Sequence, residues 1–171
     1  MASPHIHHVH GSSGSMGYSL GDFYPLIGVL TVVVVLSAAG IFLLGQDPML
    51  AFMGYFFLVF GGLKAIRLKG FADAYQEYDL LAMRSRTYAL AYPFVELAFG
   101  VSYLLAWQVT AVSAVVLFIM LVGALGVYLK LRQGEEIPCA CLGAVFKVPM
   151  TWVTLGEDLV MALMALAFLV Y

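Results

Sequence analysis

Charged side chains are scarce in this sequence: Asp, Glu, Lys and Arg make up 11% of its 171 residues, and the formal net charge is -2. A soluble domain carries about 25% charged residues. Hydrophobic residues reach 63%, and many stand in runs long enough to cross a bilayer core, which takes roughly 20 helical residues. The composition therefore excludes a soluble globular domain. It predicts an all-α, polytopic membrane protein whose partner is the lipid bilayer and not a nucleic acid.

Histidine is missing after the first ten residues. His5, His7, His8 and His10 precede a Gly/Ser stretch, and we interpret residues 1–15 as an expression tag and linker. The rest of the chain consequently has no imidazole to act as a general base, to bind a metal ion or to ligate a haem iron.

The apolar runs predict five transmembrane helices. Asp47 is placed to cap a helix that begins at Pro48. The long run that starts at Tyr88 must hold two spans, because a single helix of that length would be about twice as long as the roughly 30 Å hydrocarbon core is thick. We place the break between them at Trp107 and Gln108. The predicted spans lie near residues 23–44, 49–67, 88–106, 109–131 and 151–171.

The segment between the second and third spans, residues 69–86, combines aromatic residues at helical spacing with charged residues. This pattern predicts a short amphipathic helix at the membrane interface, with its aromatic face towards acyl chains or the bundle. A solvated connector is the alternative interpretation. The residues of the aromatic face are Phe71, Ala74, Tyr75, Tyr78 and Ala82.

All eight basic residues fall on one side of the predicted five-span topology. Cytoplasmic loops carry an excess of Lys and Arg, so we expect the N-terminus and the loop before the last span to be cytoplasmic, in a bacterial inner membrane. The basic residues are Lys64, Arg67, Lys69, Arg84, Arg86, Lys130, Arg132 and Lys147.

Both cysteines of the chain, Cys139 and Cys141, lie in that loop, separated by one residue and flanked by Pro138 and Gly143. Two thiols this close can form a strained, easily reduced disulfide. As thiolates they also suit a soft metal such as Cu(I) or Hg(II), whereas zinc would need more ligands. Because no second pair is present, a redox cycle would pass electrons to a partner protein, a small thiol or a quinone.

Acidic residues within the apolar runs are the other candidates for chemistry. Glu96 lies inside the third span, where an ionisable group is a functional candidate. The alternative is a packing role, paired with Lys64 or Arg67, although we expect Lys64 to extend its ammonium group to the interface. Glu157 and Asp158 form a second possible acidic site, but Glu157 also follows Thr154 at the spacing of a capping box that opens the last helix.

Small residues predict where helix backbones approach each other closely. The candidates are Gly61, Gly62, Gly100, Gly123 and Gly126.

Several motifs resemble the MauE/DoxX group of redox-associated four-helix membrane proteins, and the MauE type in particular. They are FFLVFGGLKAIRLKGFADAYQEYDLLA, YPFVELAFG and CACLG followed by VPMTWVTLGEDLVMALMAL, all within residues 53–171. The resemblance implies a four-helix domain over residues 49–171, to which residues 16–48 add one N-terminal helix. It also implies that Cys139 and Cys141 form a redox pair, that Glu96 is an intramembrane acid, and that the partner is a thiol or disulfide protein.

The sequence thus favours a membrane thiol-disulfide redox protein with a Cys-x-Cys motif. Two alternatives stay open: a heavy-metal protein that binds or transports Cu(I) or Hg(II) through Cys139 and Cys141, and a non-catalytic subunit of a membrane complex. The spacing of the cysteines does not decide between redox chemistry and metal binding.

Overall fold

The computed structural model describes residues 24–133, 138–139, 148–149 and 152–170. Six helices and one two-residue ladder make up the described part of the chain. In order they are α1 (Tyr24–Leu44), α2 (Pro48–Ile66), α3 (Leu68–Tyr75), α4 (Arg86–Leu104), α5 (Val109–Gln133), β1 (Pro138–Cys139), β2 (Val148–Pro149) and α6 (Trp152–Val170).

The five long helices lie where the apolar runs predict them. Within the described residues, α1, α2 and α5 are long and apolar enough to cross a membrane. The membrane class is therefore confirmed, while the number of five spans stays a prediction. Helix α4 carries the buried Glu96, and α6 carries the half-buried Glu157 and Asp158.

The start of α2 and the break between α4 and α5 both have a local cause. The Asp47 carboxylate caps α2 as predicted, with Oδ1 accepting from the amides of Met49 at 2.9 Å and Leu50 at 3.1 Å. The predicted break between the third and fourth long helices is also confirmed. Ala106 and Gln108 there have positive φ angles of 49° and 50°, a left-handed conformation that interrupts a helix without glycine or proline.

Helices α2 and α4 form one closely packed pair, α5 and α6 form another, and α1 packs on α2. Glycine permits the close approach of α2 and α4: a Cβ added at Gly61 would lie 3.1 Å from the Pro93 carbonyl oxygen, and one at Gly100 would lie 2.9 Å from the Gly54 carbonyl oxygen. The prediction for Gly62 is wrong, because a Cβ there would meet nothing within 4 Å.

The connector between α2 and α4 folds onto the bundle instead of lying free. Its helix α3 is shorter than the pattern predicts and ends at Tyr75, and turns follow it. The aromatic face is buried as predicted: Phe71, Tyr75 and Tyr78 are each at most 6% exposed. This burial favours the amphipathic helix over the solvated connector and turns the aromatic face towards the bundle.

The ladder of β1 and β2 places Cys139 opposite Val148 in antiparallel register. Cα atoms of β1 lie within 8 Å of Cα atoms of α3. Strand β1 thus lies beside the α2–α4 connector.

The first turn of α6 differs from its prediction. The helix already begins at Trp152, so Thr154 lies inside it and cannot be the residue that precedes its first turn. The capping box of Thr154 and Glu157 is therefore wrong, and the acidic pair needs another explanation.

Candidate functional site

An ion pair between α2 and α4 lies at the centre of the polar residues. Lys64 is 8% exposed and Glu96 is 2% exposed, and Lys64 Nζ donates to Glu96 Oε1 at 2.5 Å. The prediction that Lys64 extends to the interface is wrong, because its ammonium group turns inwards to this carboxylate. Glu96 is buried as predicted, and of its two suggested basic partners it takes Lys64.

Two aromatic rings complete the surroundings of the ammonium group. Lys64 Nζ lies 5.1 Å from the ring centroid of Tyr92 and 5.7 Å from that of Phe71. Both distances are within the range of cation–π attraction, which strengthens when the cation is shielded from water. Helices α2, α3 and α4 therefore all contribute to holding this one charge.

A small cavity of about 50 Å³ opens beside Lys64. At roughly 30 Å³ per water molecule in the liquid, it has room for one or two waters. Its wall combines one cation, one carboxylate and three phenols with apolar side chains. The lining residues are Lys64, Phe71, Tyr75, Tyr78, Tyr92, Ile119, Met120, Gly123 and Asp158.

Two carboxylates approach the cavity wall at Gly123. A Cβ added to this glycine would lie 3.7 Å from Asp158 Oδ2 and 4.0 Å from Asp79 Oδ2. Asp158 comes from α6 and Asp79 from the α3–α4 connector, so three separate parts of the chain meet here. The half-buried Asp158 accordingly belongs to the polar cluster around this cavity.

Asp79 is held in place by the turn that it caps. Its Oδ1 accepts from the amides of Ala82 at 2.8 Å and Leu81 at 3.0 Å, and the residue is 1% exposed. Burial raises the pKa of Asp79, and this effect is opposed by the Ala82 amide, the Tyr75 hydroxyl and the Leu81 amide. Asp79 is therefore a carboxyl group whose proton is held more tightly than in water.

Packed aromatic rings connect the α2–α4 connector to α4. Tyr75 lies 4.7 Å from Tyr92 and 5.0 Å from Phe71 between ring centroids. Burial raises the pKa of Tyr75 well above its ordinary value, with Tyr92 and Asp79 adding to the effect. The Tyr75 phenol is therefore neutral at physiological pH and able to donate a hydrogen bond to a carboxylate.

The structure describes only part of the predicted cysteine site. The backbone of Cys139 lies in β1, against α3, at the same end of the bundle as Lys64. The Cys139 side chain and the whole of Cys141 lie outside the described residues. Across the described ranges, no group of three or more His, Cys, Asp or Glu side chains is placed to hold a metal ion.

A scan against protein-family models matches residues 36–171 to the family described as Methylamine utilisation protein MauE. This range covers most of the chain. The chain belongs to the MauE family. Neither the curated proteins nor the solved structures contain a match to it.

The MauE match reaches further towards the N-terminus than the motifs from Met53 onward suggest, since it begins inside α1. It includes both cysteines and every residue of the polar cluster. Together with the apolar helices it indicates an integral membrane protein of the methylamine-utilisation type.

Sequence reasoning missed Asp79 and the cluster role of Asp158. In the sequence, Asp79 looks like any charged residue of a connector. The one signal of its burial was its position directly after Tyr78 of the aromatic face. Asp158 was found as an acidic residue, but its closeness to Lys64 depends on the packing of α2 against α6, which no local pattern records.

Proposed function

We propose that this MauE-family chain is a membrane thiol-disulfide redox protein, in which Cys139 and Cys141 exchange electrons with a thiol or disulfide of a partner protein. The observation that supports the proposal best is the position of β1. The strand that contains Cys139 lies against α3, and α3 supplies Phe71 and Tyr75 to the wall of the Lys64 cavity. The backbone of Cys139 thus adjoins the group of acids and phenols around Lys64.

The exchange proceeds in two substitutions at sulfur. One cysteine thiolate attacks a partner disulfide, which forms a mixed disulfide and releases one partner thiolate. The second cysteine, also as a thiolate, attacks the first cysteine's sulfur, which closes the Cys139–Cys141 disulfide and releases the other partner thiolate. The pair loses two electrons and the partner gains two. The reverse sequence uses the same atoms and reduces the pair.

We infer that Glu96 and Lys64 serve this chemistry from within the bundle. Their mutual pairing keeps a carboxylate and an ammonium group buried beside the cavity, where Asp158 and the tyrosine hydroxyls can exchange protons with them. Thiols must lose protons to act as nucleophiles, and this cluster offers groups that can take them up near the loop.

We further propose that α4 and α6 also span the membrane, which together with α1, α2 and α5 gives five spans. The N-terminus and the cysteine loop then face the cytoplasm of a bacterium, because the basic residues gather at that end of the bundle.

The redox state of the cysteine pair is the direct test of this function. Membranes that contain the full chain would be equilibrated with mixtures of reduced and oxidised glutathione and then alkylated with a maleimide that adds mass. We expect both thiols to become reactive together, as a two-electron couple. Two thiols that remain fully alkylated under every oxidising mixture would contradict the proposal.

A further inference from the structure

The cavity beside Lys64 brings two opposite charges near each other without direct contact. Lys64 and Asp158 both line it, and the one ion pair that Lys64 makes with a described residue is the pair with Glu96. Its Nζ atom therefore lies more than 4.0 Å from both carboxyl oxygens of Asp158. Polar groups that face each other across such a gap are often joined by a water molecule.

The hydrogen-bonding capacity of the two groups also favours a polar occupant. An ammonium group has three donors, and Lys64, which is 8% exposed, makes one hydrogen bond to a described residue, the bond to Glu96. Asp158 Oδ2 lies at the same wall, 3.7 Å from the position of a Cβ added to Gly123. Polar groups that are shielded from solvent take their remaining hydrogen bonds from ordered water.

The size and the wall of the cavity select water among possible occupants. Its volume is about 50 Å³, whereas sites for organic ligands measure about 300 to 1,000 Å³. Cavities that stay dry have apolar walls, but this wall includes a lysine, an aspartate and three tyrosines. A metal ion is disfavoured, because no group of three or more His, Cys, Asp or Glu side chains is placed to hold one in the described ranges.

We propose that the cavity holds one or two ordered water molecules that join the Lys64 ammonium group to the Asp158 carboxyl group. The water oxygen accepts from Lys64, and a water hydrogen is donated to Asp158. Gly123 of α5 lines the cavity without a side chain and so leaves room for the water. Helices α2, α5 and α6 therefore all contribute to the site.

The bridge also provides a path for the proton exchange that we propose for this cluster. In one concerted shift, Asp158 gives a proton to the water, the water gives one to Lys64, and Lys64 gives one to its partner Glu96. One proton then moves from Asp158 to Glu96, while the water and the lysine are unchanged. This consequence rests on the proposed function, whereas the presence of the water does not.

Radiolytic labelling of the full chain in lipid nanodiscs tests the water directly. A short X-ray pulse converts water into hydroxyl radicals, which oxidise adjacent side chains, so a buried side chain reacts where a water is bound beside it. Mass spectrometry compares two pairs of buried residues, of which the first member lines the cavity and the second does not. The pairs are Met120 and Met53, at 5% and 0% exposed, and Phe71 and Phe57, at 1% and 0% exposed. We expect the first member to be oxidised about tenfold faster than the second.

Variants at Gly123 distinguish a hydrated cavity from a dry one. An alanine methyl group would make ordinary contacts, 3.7 Å from Asp158 Oδ2 and 4.0 Å from Asp79 Oδ2. In a dry cavity it would fill empty space within a helix and stabilise the protein. In a hydrated cavity it displaces the water, so we expect Gly123→Ala to raise the equilibrium constant of unfolding about tenfold and to slow the oxidation of Phe71.

Serine at the same position is the matched variant. Gly123→Ser returns a hydroxyl group to the cavity and should recover most of this loss, although serine favours helices less than alanine does. Gly62 is the control position, because a Cβ there has open space. Gly62→Ala should be at least as stable as Gly62→Ser, which is the reverse of the order at Gly123.

Substitution of Asp158 tests the bridge itself. Asp158→Asn keeps an acceptor for the water and should keep the oxidation of Phe71, whereas Asp158→Leu should abolish it. The variant with both Cys139→Ser and Cys141→Ser should show the wild-type oxidation pattern. Loss of thiol exchange and absence of the water are therefore separate results.

Three results would overturn the proposal. Oxidation of Met120 and Phe71 at the rates of Met53 and Phe57 would show a dry cavity, and this comparison needs no variant. A Gly123→Ala variant more stable than the wild type would show the same. Rapid oxidation of Phe71 that persists in Asp158→Leu would show a water that does not bridge to Asp158.

Discussion

The Lys64 ammonium group lies between the Glu96 carboxylate and the faces of Tyr92 and Phe71, almost wholly removed from solvent. Removing one member of a buried ion pair leaves the other charge without compensation, which costs about 3 to 5 kcal/mol. The two members are not equivalent here, because Asp158 lines the same cavity as Lys64. Lys64 therefore retains a second carboxyl group if Glu96 is changed, whereas Glu96 has Lys64 as its ion-pair partner among the described residues.

We accordingly expect Lys64→Met to lower the free energy of unfolding by about 3 kcal/mol, and Glu96→Gln to lower it by clearly less. The double variant should be more stable than the sum of the single effects predicts, since neither charge is then left alone. Unfolding in mixed micelles by titration with a denaturing detergent measures all three. The control is Arg86→Met, which breaks an ion pair with Asp73 whose side chains are 55% and 60% exposed, and it should change stability by at most about 1 kcal/mol. Additive single effects would contradict a direct pairing.

Glu96→Gln should also separate folding from activity. The amide preserves the shape of the side chain and can still accept a hydrogen bond from Lys64, but it cannot carry a proton. We expect a folded variant in which thiol exchange with the partner is impaired. A variant with full exchange activity would reduce Glu96 to a packing residue.

We expect Asp79 to make the stability of the protein depend on pH. Burial raises the pKa of Asp79 in the folded state above its value in the unfolded state. At pH values between these two pKa values, the folded state therefore binds more protons than the unfolded state. The stabilisation is fully present below the unfolded pKa and is lost as pH rises through the folded pKa. Asp79→Asn keeps an acceptor for the amides of Ala82 and Leu81 but does not titrate.

We therefore expect wild-type stability to fall relative to Asp79→Asn as pH rises above the unfolded pKa of an aspartate and through the raised folded pKa. Detergent unfolding midpoints at several pH values measure this difference. Asp73→Asn, on the exposed side of α3, serves as the control for the loss of a carboxyl group from the same connector. A difference between wild type and Asp79→Asn that stays constant with pH would contradict a raised pKa.

The elements differ in how far the sequence predicts them. Apolar runs and the Asp47 cap are local signals, and they predict all five long helices and the α1–α2 turn. The early end of α3 at Tyr75 was not predicted, and in the turns that follow it Asp79 bonds the amides of Leu81 and Ala82. The inward turn of Lys64 and the meeting of Asp79 with Asp158 depend on the packing of separate elements, so a pattern within one element cannot reveal them.

The connector is fixed to α5 at Gly126. A Cβ at this position would collide with the Tyr78 carbonyl oxygen, which belongs to the backbone and cannot move without moving the connector. We expect Gly126→Ala to reduce stability by about 1 to 3 kcal/mol. It should also disturb Asp79, which follows Tyr78 in the connector. Gly62→Ala is the matched control: it has open space and should be neutral or stabilise by up to about 1 kcal/mol. Equal effects of the two substitutions would show that the connector does not pack on α5 in this way.

At the scale of the whole molecule, the arrangement has two ends of different character. The basic connectors, β1 and the polar cluster occupy one end, and the turns at Gly45–Asp47 and Leu105–Gln108 form the other. The basic residues that the structure describes all belong to the first end. This asymmetry is the physical basis for the proposed cytoplasmic position of the cysteine loop.

Reporter cysteines test that orientation in a background of Cys139→Ser and Cys141→Ser. In intact cells, a membrane-impermeant maleimide should label a cysteine at Trp107, which is 64% exposed in the α4–α5 turn, and should not label one at Gln133 at the end of α5. Permeabilised cells supply the control, in which both should react. Labelling of Gln133→Cys but not of Trp107→Cys in intact cells would invert the topology.

Thiol exchange by the Cys-x-Cys pair is the central claim, and trapping of its mixed disulfide tests it most directly. Changing the resolving cysteine to serine should leave the partner bound to the other sulfur. We predict that Cys139→Ser or Cys141→Ser, but not the double variant, accumulates a dithiothreitol-sensitive adduct in cells. If neither single variant forms such an adduct, while the wild type binds Cu(I) or Hg(II) stoichiometrically and the double variant does not, the redox function is wrong and the cysteine pair is a soft-metal site.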